Sequence, residues 1–302
     1  MNITEEVRKQ TALSDADGEE ARKAYLAAIV KTAGSLTLKS NKLGLTVENK
    51  SMQPVLIALG LIKELYGAEV EFAYSSAQKL YSASVRPGEA ERIFADLLPK
   101  TAESRGGLGR KFASDEEASA YVRGLFAVCG SAYAPGSDDG GGYHIEFTFF
   151  DEDAARELAE YFAARDIAMH VTHRRDLYGA YCKSGTDVSG VLAFMGAYES
   201  VFALSDVMML REANNNINRG VNCTLANMDK AQRAAGQLLG AIARLREDGS
   251  LDRLDDKLRA VCDAREAHPE FTMAQLAKEL GISKSGLNHR IEKILKEAEN
   301  GR

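Results

Sequence analysis

Eight polar side chains toward one end of the chain have the types and spacing to read nucleic acid: Gln275, Ser283, Lys284, Ser285, Asn288, His289, Arg290 and Lys293. An asparagine amide can pair bidentately with adenine, serine and histidine can meet base edges, and lysine and arginine can hold phosphates. All but Gln275 fall between Ser283 and Lys293, inside the stretch TMAQLAKELGISKSGLNHRIEKILKE, Thr272 to Glu297. Nothing of comparable density suggests catalysis. No Ser/His/Asp or Cys/His set stands out by spacing, and His170 and His173, three apart in a strand-like run, point to opposite faces and make a poor zinc pair. Cys129, Cys182, Cys223 and Cys262 are widely scattered without a CxxC, a pattern of free thiols that suits a reducing cytoplasm.

Two helices must position the polar set. Leu276, Ala277 and Leu280 make a short apolar stripe, Gly281 ends it, and Ser283 caps a second helix striped by Leu287, Ile291, Ile294 and Leu295. The spacing predicts a helix-turn-helix: Ala277 is small where the helices cross, and Gly281 stands where the turn can require positive φ. At 100° per residue the face opposite Leu287 carries Ser285, His289, Glu292, Lys293 and Lys296, with Asn288 and Lys284 toward its edge. From Phe271 to Lys296 the chain holds five basic and two acidic residues. An ordinary helical hairpin with a solvated face is the alternative that spacing leaves open.

The rest of the chain is unlike a nucleic-acid surface. Its 302 residues carry 38 basic and 44 acidic side chains, net −6, and residues 111–199 alone hold 7 basic and 15 acidic. A phosphate backbone would be repelled there, so any DNA contact must be a local patch. The length suggests two or three domains, no apolar run reaches a membrane span, and the opening MNITEEVRKQ has no secretory character, so a soluble cytoplasmic protein is expected. The glycine-rich PGSDDGGGYH, Pro135 to His144, lacks the GK[ST] of a phosphate loop and reads as a hairpin loop, with Asp138 and Asp139 at a solvated tip.

AYLAAIVKTAGS, Ala24 to Ser35, returns as AYVRGLFAVCGS, Ala120 to Ser131, at a constant offset of 96 residues. Each copy is followed by the same order of elements, giving two αββαββα halves. These segments resemble the LAGLIDADG motif of homing endonucleases, whose paired helices need small residues for close approach; Ala27, Ala28, Ala33 and Gly34 supply them in one copy, and Gly124, Ala127, Cys129 and Gly130 in the other. The nuclease carries a metal-binding acid at the penultimate position of each motif. Ala33 and Cys129 stand there in this chain, so the scaffold is expected to be inert.

Beyond Met195 the pattern turns helical, with a second amphipathic helix expected from about Leu225 to Leu245. Between lies an amide cluster, Asn214, Asn215, Asn216, Asn218, Asn222 and Asn227, which either caps a helix break near Gly220 or bonds something specific. NRGVNC, Asn218 to Cys223, and SKSGLNHR, Ser283 to Arg290, behind a degenerate LAGLIDADG-like domain, resemble the WhiA family of bacterial proteins across nearly the whole chain. One departure is Thr224 and Leu225, where the family has Glu-Thr.

The resemblance implies a DNA-binding transcriptional regulator, tied to sporulation in actinobacteria and to cell division and chromosome segregation in other bacteria. Its expected partner is double-stranded DNA at promoters, with a second transcription factor, RNA polymerase or a second copy of the chain as further candidates; no cofactor, metal or enzymatic activity is expected, and the location is cytoplasmic and nucleoid-associated. The expected fold is α+β: a pseudo-twofold LAGLIDADG-like domain over 1–199 (repeats about 16–110 and 111–199), a helical connector over 200–250, and a helix-turn-helix head over 251–302 whose first helix, near Arg253 to Ala267, ends before Pro269. A non-catalytic scaffold docking partners through the acidic domain and a residual metal-dependent nuclease are the alternatives from other classes.

Overall fold

The computed structural model describes residues 2–39, 42–98, 112–136 and 141–300; the loop tip with Asp138 and Asp139 lies outside them. The chain divides into two compact units, 1–211 and 212–302.

In the first unit a short helix α1 (Thr4–Gln10) precedes two copies of one αββαββα plan. The first copy runs α2 (Glu19–Ala33), β1 (Gly34–Lys39), β2 (Lys42–Asn49), α3 (Met52–Tyr66), β3 (Val70–Ser75), β4 (Leu80–Val85) and α4 (Ala90–Leu97). The second runs α5 (Asp115–Cys129), β5 (Gly130–Tyr133), β6 (His144–Phe149), α6 (Glu152–Ala163), β7 (His170–Arg174), β8 (Leu177–Cys182) and α7 (Gly185–Phe194). Each copy folds its strands into an antiparallel sheet, ordered β1-β2-β4-β3 and β5-β6-β8-β7. Period-two patterning sets which way the strands face: in β6, Ile145, Phe147 and Phe149 are buried while their neighbours are half-exposed.

The repeat helices α2 and α5 join the halves. Ala24, Ala27 and Ala28 of α2 and Ala120 of α5 are fully buried, between Tyr25 and Tyr121. At Gly124 the backbones come so close that a Cβ would lie 2.5 Å from the Tyr25 carbonyl oxygen and 2.8 Å from the Ala28 Cβ, which is why a residue without a side chain is needed. Arg123 also binds Asp17 in the loop before α2. Burial would raise that carboxyl, but hydrogen bonds from Arg123 and Ser14 outweigh it and hold it below its ordinary range.

Of the two readings of the amide cluster, the helix break near Gly220 is not found. A single helix, α8 (Tyr198–Glu247), passes straight through it. One glycine costs a helix interior only about 1 kcal/mol relative to alanine, too little to break 50 residues of otherwise helical sequence. The asparagines therefore ride on an unbroken and exposed stretch. Among the described residues no helix is long and apolar enough to cross a membrane.

Candidate nucleic-acid interface

The second unit closes its own core. After a 3-10 turn at Leu251–Arg253 come α9 (Asp256–Ala267), α10 (Met273–Glu279) and α11 (Lys284–Asn300). Leu258, Val261 and Cys262 of α9 meet Leu276 and Ala277 of α10 and Leu287, Ile291 and Ile294 of α11. A fourth wall, absent from the reading of the sequence, is the end of α8, which brings Leu238, Ile242 and Leu245 into the same core. Their spacing of four and three was the available signal.

The turn is built from local chemistry. Asp255 caps α9, accepting from the Leu258 N–H at 2.8 Å. Thr272 opens α10 with a capping box: its hydroxyl accepts from the Gln275 N–H, and the Gln275 carbonyl oxygen accepts from the Thr272 N–H at 2.8 Å. Gly281 adopts φ 64°, the left-handed conformation that lets the Ile282 N–H reach back to the Ala277 carbonyl at 2.9 Å. Ser283 caps α11 by accepting from the Gly286 N–H at 3.1 Å. Between α9 and α10, the guanidinium of Arg265, 1% exposed, donates to the Phe271 carbonyl at 2.7 Å and the Pro269 carbonyl at 3.2 Å. Burial lowers its pKa, yet a guanidinium is so strong a base that the group stays charged and pins the turn.

This frame gathers the eight residues. Leu287, Ile291, Ile294 and Ala298 hold one face of α11 in the core, so Ser285, His289, Glu292 and Lys296 point outward. Lys284 and Asn288 lie on one flank of that face, Arg290 and Lys293 on the other. All are exposed except Arg290, which is half-buried. Gln275 is also exposed, but its carbonyl oxygen is committed to the capping box, leaving its NH₂ as the group free to reach out. The face thus presents amide, hydroxyl and imidazole groups between cations, on one helix whose backbone cannot shift without breaking the core.

The corresponding ends of α2 and α5, where a homing nuclease carries its acids, are differently equipped. Ala33 and Cys129 line a cleft of about 440 Å³ with Tyr121, Leu125 and Phe149. The Cys129 thiol donates to the Leu125 carbonyl, and burial pushes its pKa up to about 12, so a protonated thiol stands where the nuclease motif carries a carboxylate. Glu157, on the cleft wall, is paired with Lys31 at 3.2 Å. Among the described residues no group of three His, Cys, Asp or Glu side chains is placed to hold a metal.

Fold and face together define a two-unit protein: a pseudo-twofold LAGLIDADG-like body followed by a helix-turn-helix head. Three models of one family tile the chain, the WhiA N-terminal LAGLIDADG-like domain over 19–85, the WhiA LAGLIDADG-like domain over 118–214 and the WhiA C-terminal HTH domain over 217–298. The chain belongs to the WhiA family. Relatives include the "Probable cell division protein WhiA" of Thermoanaerobacter pseudethanolicus, 29% identical over 97% of this chain and 96% of that one, and that of Enterococcus faecalis, 28% identical over 99% and 98%. The crystal structure of full-length DUF199/WhiA from Thermatoga maritima shares the fold, with a TM-score of 0.59 at 21% identity over 99% of both chains.

Proposed function

We propose that this chain is a sequence-specific, double-stranded-DNA-binding regulator of transcription whose body performs no strand cleavage. The observation that carries the reading is the outward face of α11, where Asn288 and His289 stand between Lys284 and the pair Arg290 and Lys293 on a helix held by a helix-turn-helix core. Asn288 and His289 read base edges, with Ser285 beside them, while Lys284, Arg290, Lys293 and the Ser283 hydroxyl meet phosphates and Gln275 reaches toward the backbone with its amide. The family's helix-turn-helix model and the relatives named for cell division support a role in controlling division genes. Sporulation and chromosome segregation are further processes the same regulator would serve, from the cytoplasm and at the nucleoid, together with RNA polymerase or a second factor.

A salt series separates the two kinds of contact. Asn288→Ala should cost about 1 to 3 kcal/mol on the specific duplex and little on a scrambled one. Lys293→Ala should weaken both alike and flatten the slope of log affinity against log salt by roughly one. Equal losses on both duplexes for Asn288→Ala would refute base reading, and losses of only a few tenths of a kcal/mol for both variants would mean a merely solvated face.

Absence of cleavage rests on Ala33 and Cys129. Supercoiled DNA should stay uncut with magnesium or manganese at protein concentrations that bind it. Reproducible nicking lost in Cys129→Ala or His289→Ala would overturn that part of the reading.

A further inference from the structure

The two halves of the body are equivalent at offsets that can be read from strand pairing. Gly34 pairs with Val47 and Gly130 with Phe147, so positions match 96 apart through α2/α5 and β1/β5, and 100 apart from β2/β6 into α3/α6. This mapping exposes an asymmetry. On the second half the start of the chain covers the sheet edge: Asn2 bridges Tyr133, the Ile3 N–H donates to the Ala132 carbonyl at 3.1 Å, and the Thr4 hydroxyl accepts from the Ala132 N–H at 2.9 Å. α1 follows, with Val7 wholly buried and Arg8 donating to the Gly130 carbonyl at 3.1 Å. Beneath it only a recess of about 10 Å³ is left, whose lining includes Tyr25, Gln53, Pro54, Ile57 and Ala127.

On the first half the equivalent place is open. Tyr25, Pro54, Ile57 and Ala127 map onto Tyr121, Ala154, Glu157 and Lys31, all of which line the cleft of about 440 Å³. Among the described residues nothing pairs with the β1 edge beside it: Leu36, the match of Ala132 (3% exposed), is 43% exposed, and Leu38 is 70% exposed. Ninety-six residues beyond Ile3 and Val7 stand Pro99, which has no N–H to give to an edge, and Glu103, which has no aliphatic side chain to bury.

Unpaired strand edges with exposed leucines invite strand addition. The cleft is apolar at its floor, with Leu125 and Phe149, and acidic at its rim, with Glu48, Asp151 and Glu157 against Lys31. We propose that the β1 edge and this cleft dock a basic amphipathic segment of a partner protein. The segment enters extended along β1 and turns into a short helix, as Asn2 to Gln10 do on β5. An aliphatic side chain takes the place of Val7 over Leu125 and Phe149, and lysines or arginines face the carboxylates of Glu48 and Asp151. This site is independent of the DNA-reading face, since it lies wholly in the first unit.

The probe is a fluorescent peptide of residues 1–12 carrying Glu5→Lys and Glu6→Lys, titrated into the full chain. Saturable binding is expected, at least tenfold tighter than for the unsubstituted acidic peptide. It should weaken at least tenfold in Ala154→Phe, which fills the cleft, and severalfold in Glu48→Lys, an exposed change that leaves packing intact. Amide exchange should slow at Ser35 to Leu38 and stay unchanged at Ser131 to Tyr133. Failure to bind, equal binding by Glu48→Lys, or binding without protection of β1 would each overturn the proposal. So would self-association of the chain that the peptide competes away, because the occupant would then be a second copy.

Discussion

Gly124→Val will destabilise the first unit by about 3 kcal/mol, lowering its melting transition by roughly 6 to 12 °C for a domain of this size. The Cβ would meet the Tyr25 carbonyl at 2.5 Å and the Ala28 Cβ at 2.8 Å. Both belong to the facing helix rather than to the flexible end of a side chain, so α2 and α5 must separate to admit it. Separation uncovers Tyr25, Tyr121 and the alanines between them, all buried, and valine's higher helix propensity relative to glycine recovers only a few tenths of a kcal/mol. Gly60 provides the control. It lies exposed on α3 with nothing within 4 Å of its would-be Cβ, so Gly60→Ala should hold or raise stability by up to about 1 kcal/mol. Calorimetry on the two variants checks the pair; equal melting temperatures would show that the helix crossing is not a tight contact.

The second large effect concerns where the head begins. A fragment of residues 212–302 should unfold cooperatively and bind DNA, whereas one starting at Asp248 should do neither. The shorter piece lacks Leu238, Ile242 and Leu245, each at most 1% exposed, and at about 1.5 to 3 kcal/mol per buried side chain the loss is roughly 5 to 9 kcal/mol. That equals or exceeds the stability a small helical domain has to lose. Residues 1–211 should bind DNA at least a hundredfold more weakly than the full chain, because 15 acidic against 7 basic residues over 111–199 oppose the phosphates. Circular dichroism melts and mobility shifts on the three pieces decide it. Cooperative folding by the Asp248 fragment would show that the wall of α8 is dispensable, and equal DNA binding by residues 1–211 would move the interface to the body.

Much of this architecture is local in origin and was legible without a structure. Alternation in runs such as HIEFTF and the helical spacing of Leu287, Ile291 and Ile294 depend only on neighbours within a few residues. So do the caps at Thr272 and Ser283 and the positive φ of Gly281. The repeat at 96 residues announced the two halves, and the exposed residues of α11 could be placed opposite Leu287 by angle alone. The amide cluster left a helix break open as one reading, since a run of weak helix formers around Gly220 resembles a boundary locally. Cooperative hydrogen bonding along α8, anchored by Leu204 in one core and by Leu238, Ile242 and Leu245 in the other, overrides it.

Other features depend on side chains far apart in sequence meeting in space. That Arg265 pins the turn before α10, that Gln275 is partly committed to its cap, and that α8 supplies a wall of the head follow from packing rather than periodicity. The same holds for the body's asymmetry. Sequence shows two similar repeats, but only the folded chain shows α1 laid against β5 while, among the described residues, the matching edge of β1 has no neighbour. Burial and pairing across a hundred residues decide that, and no spacing rule encodes them. What the sequence determined by itself was the inventory of helices, strands and polar groups; which of those groups face one another, and which surface is left without a partner, was settled by tertiary packing.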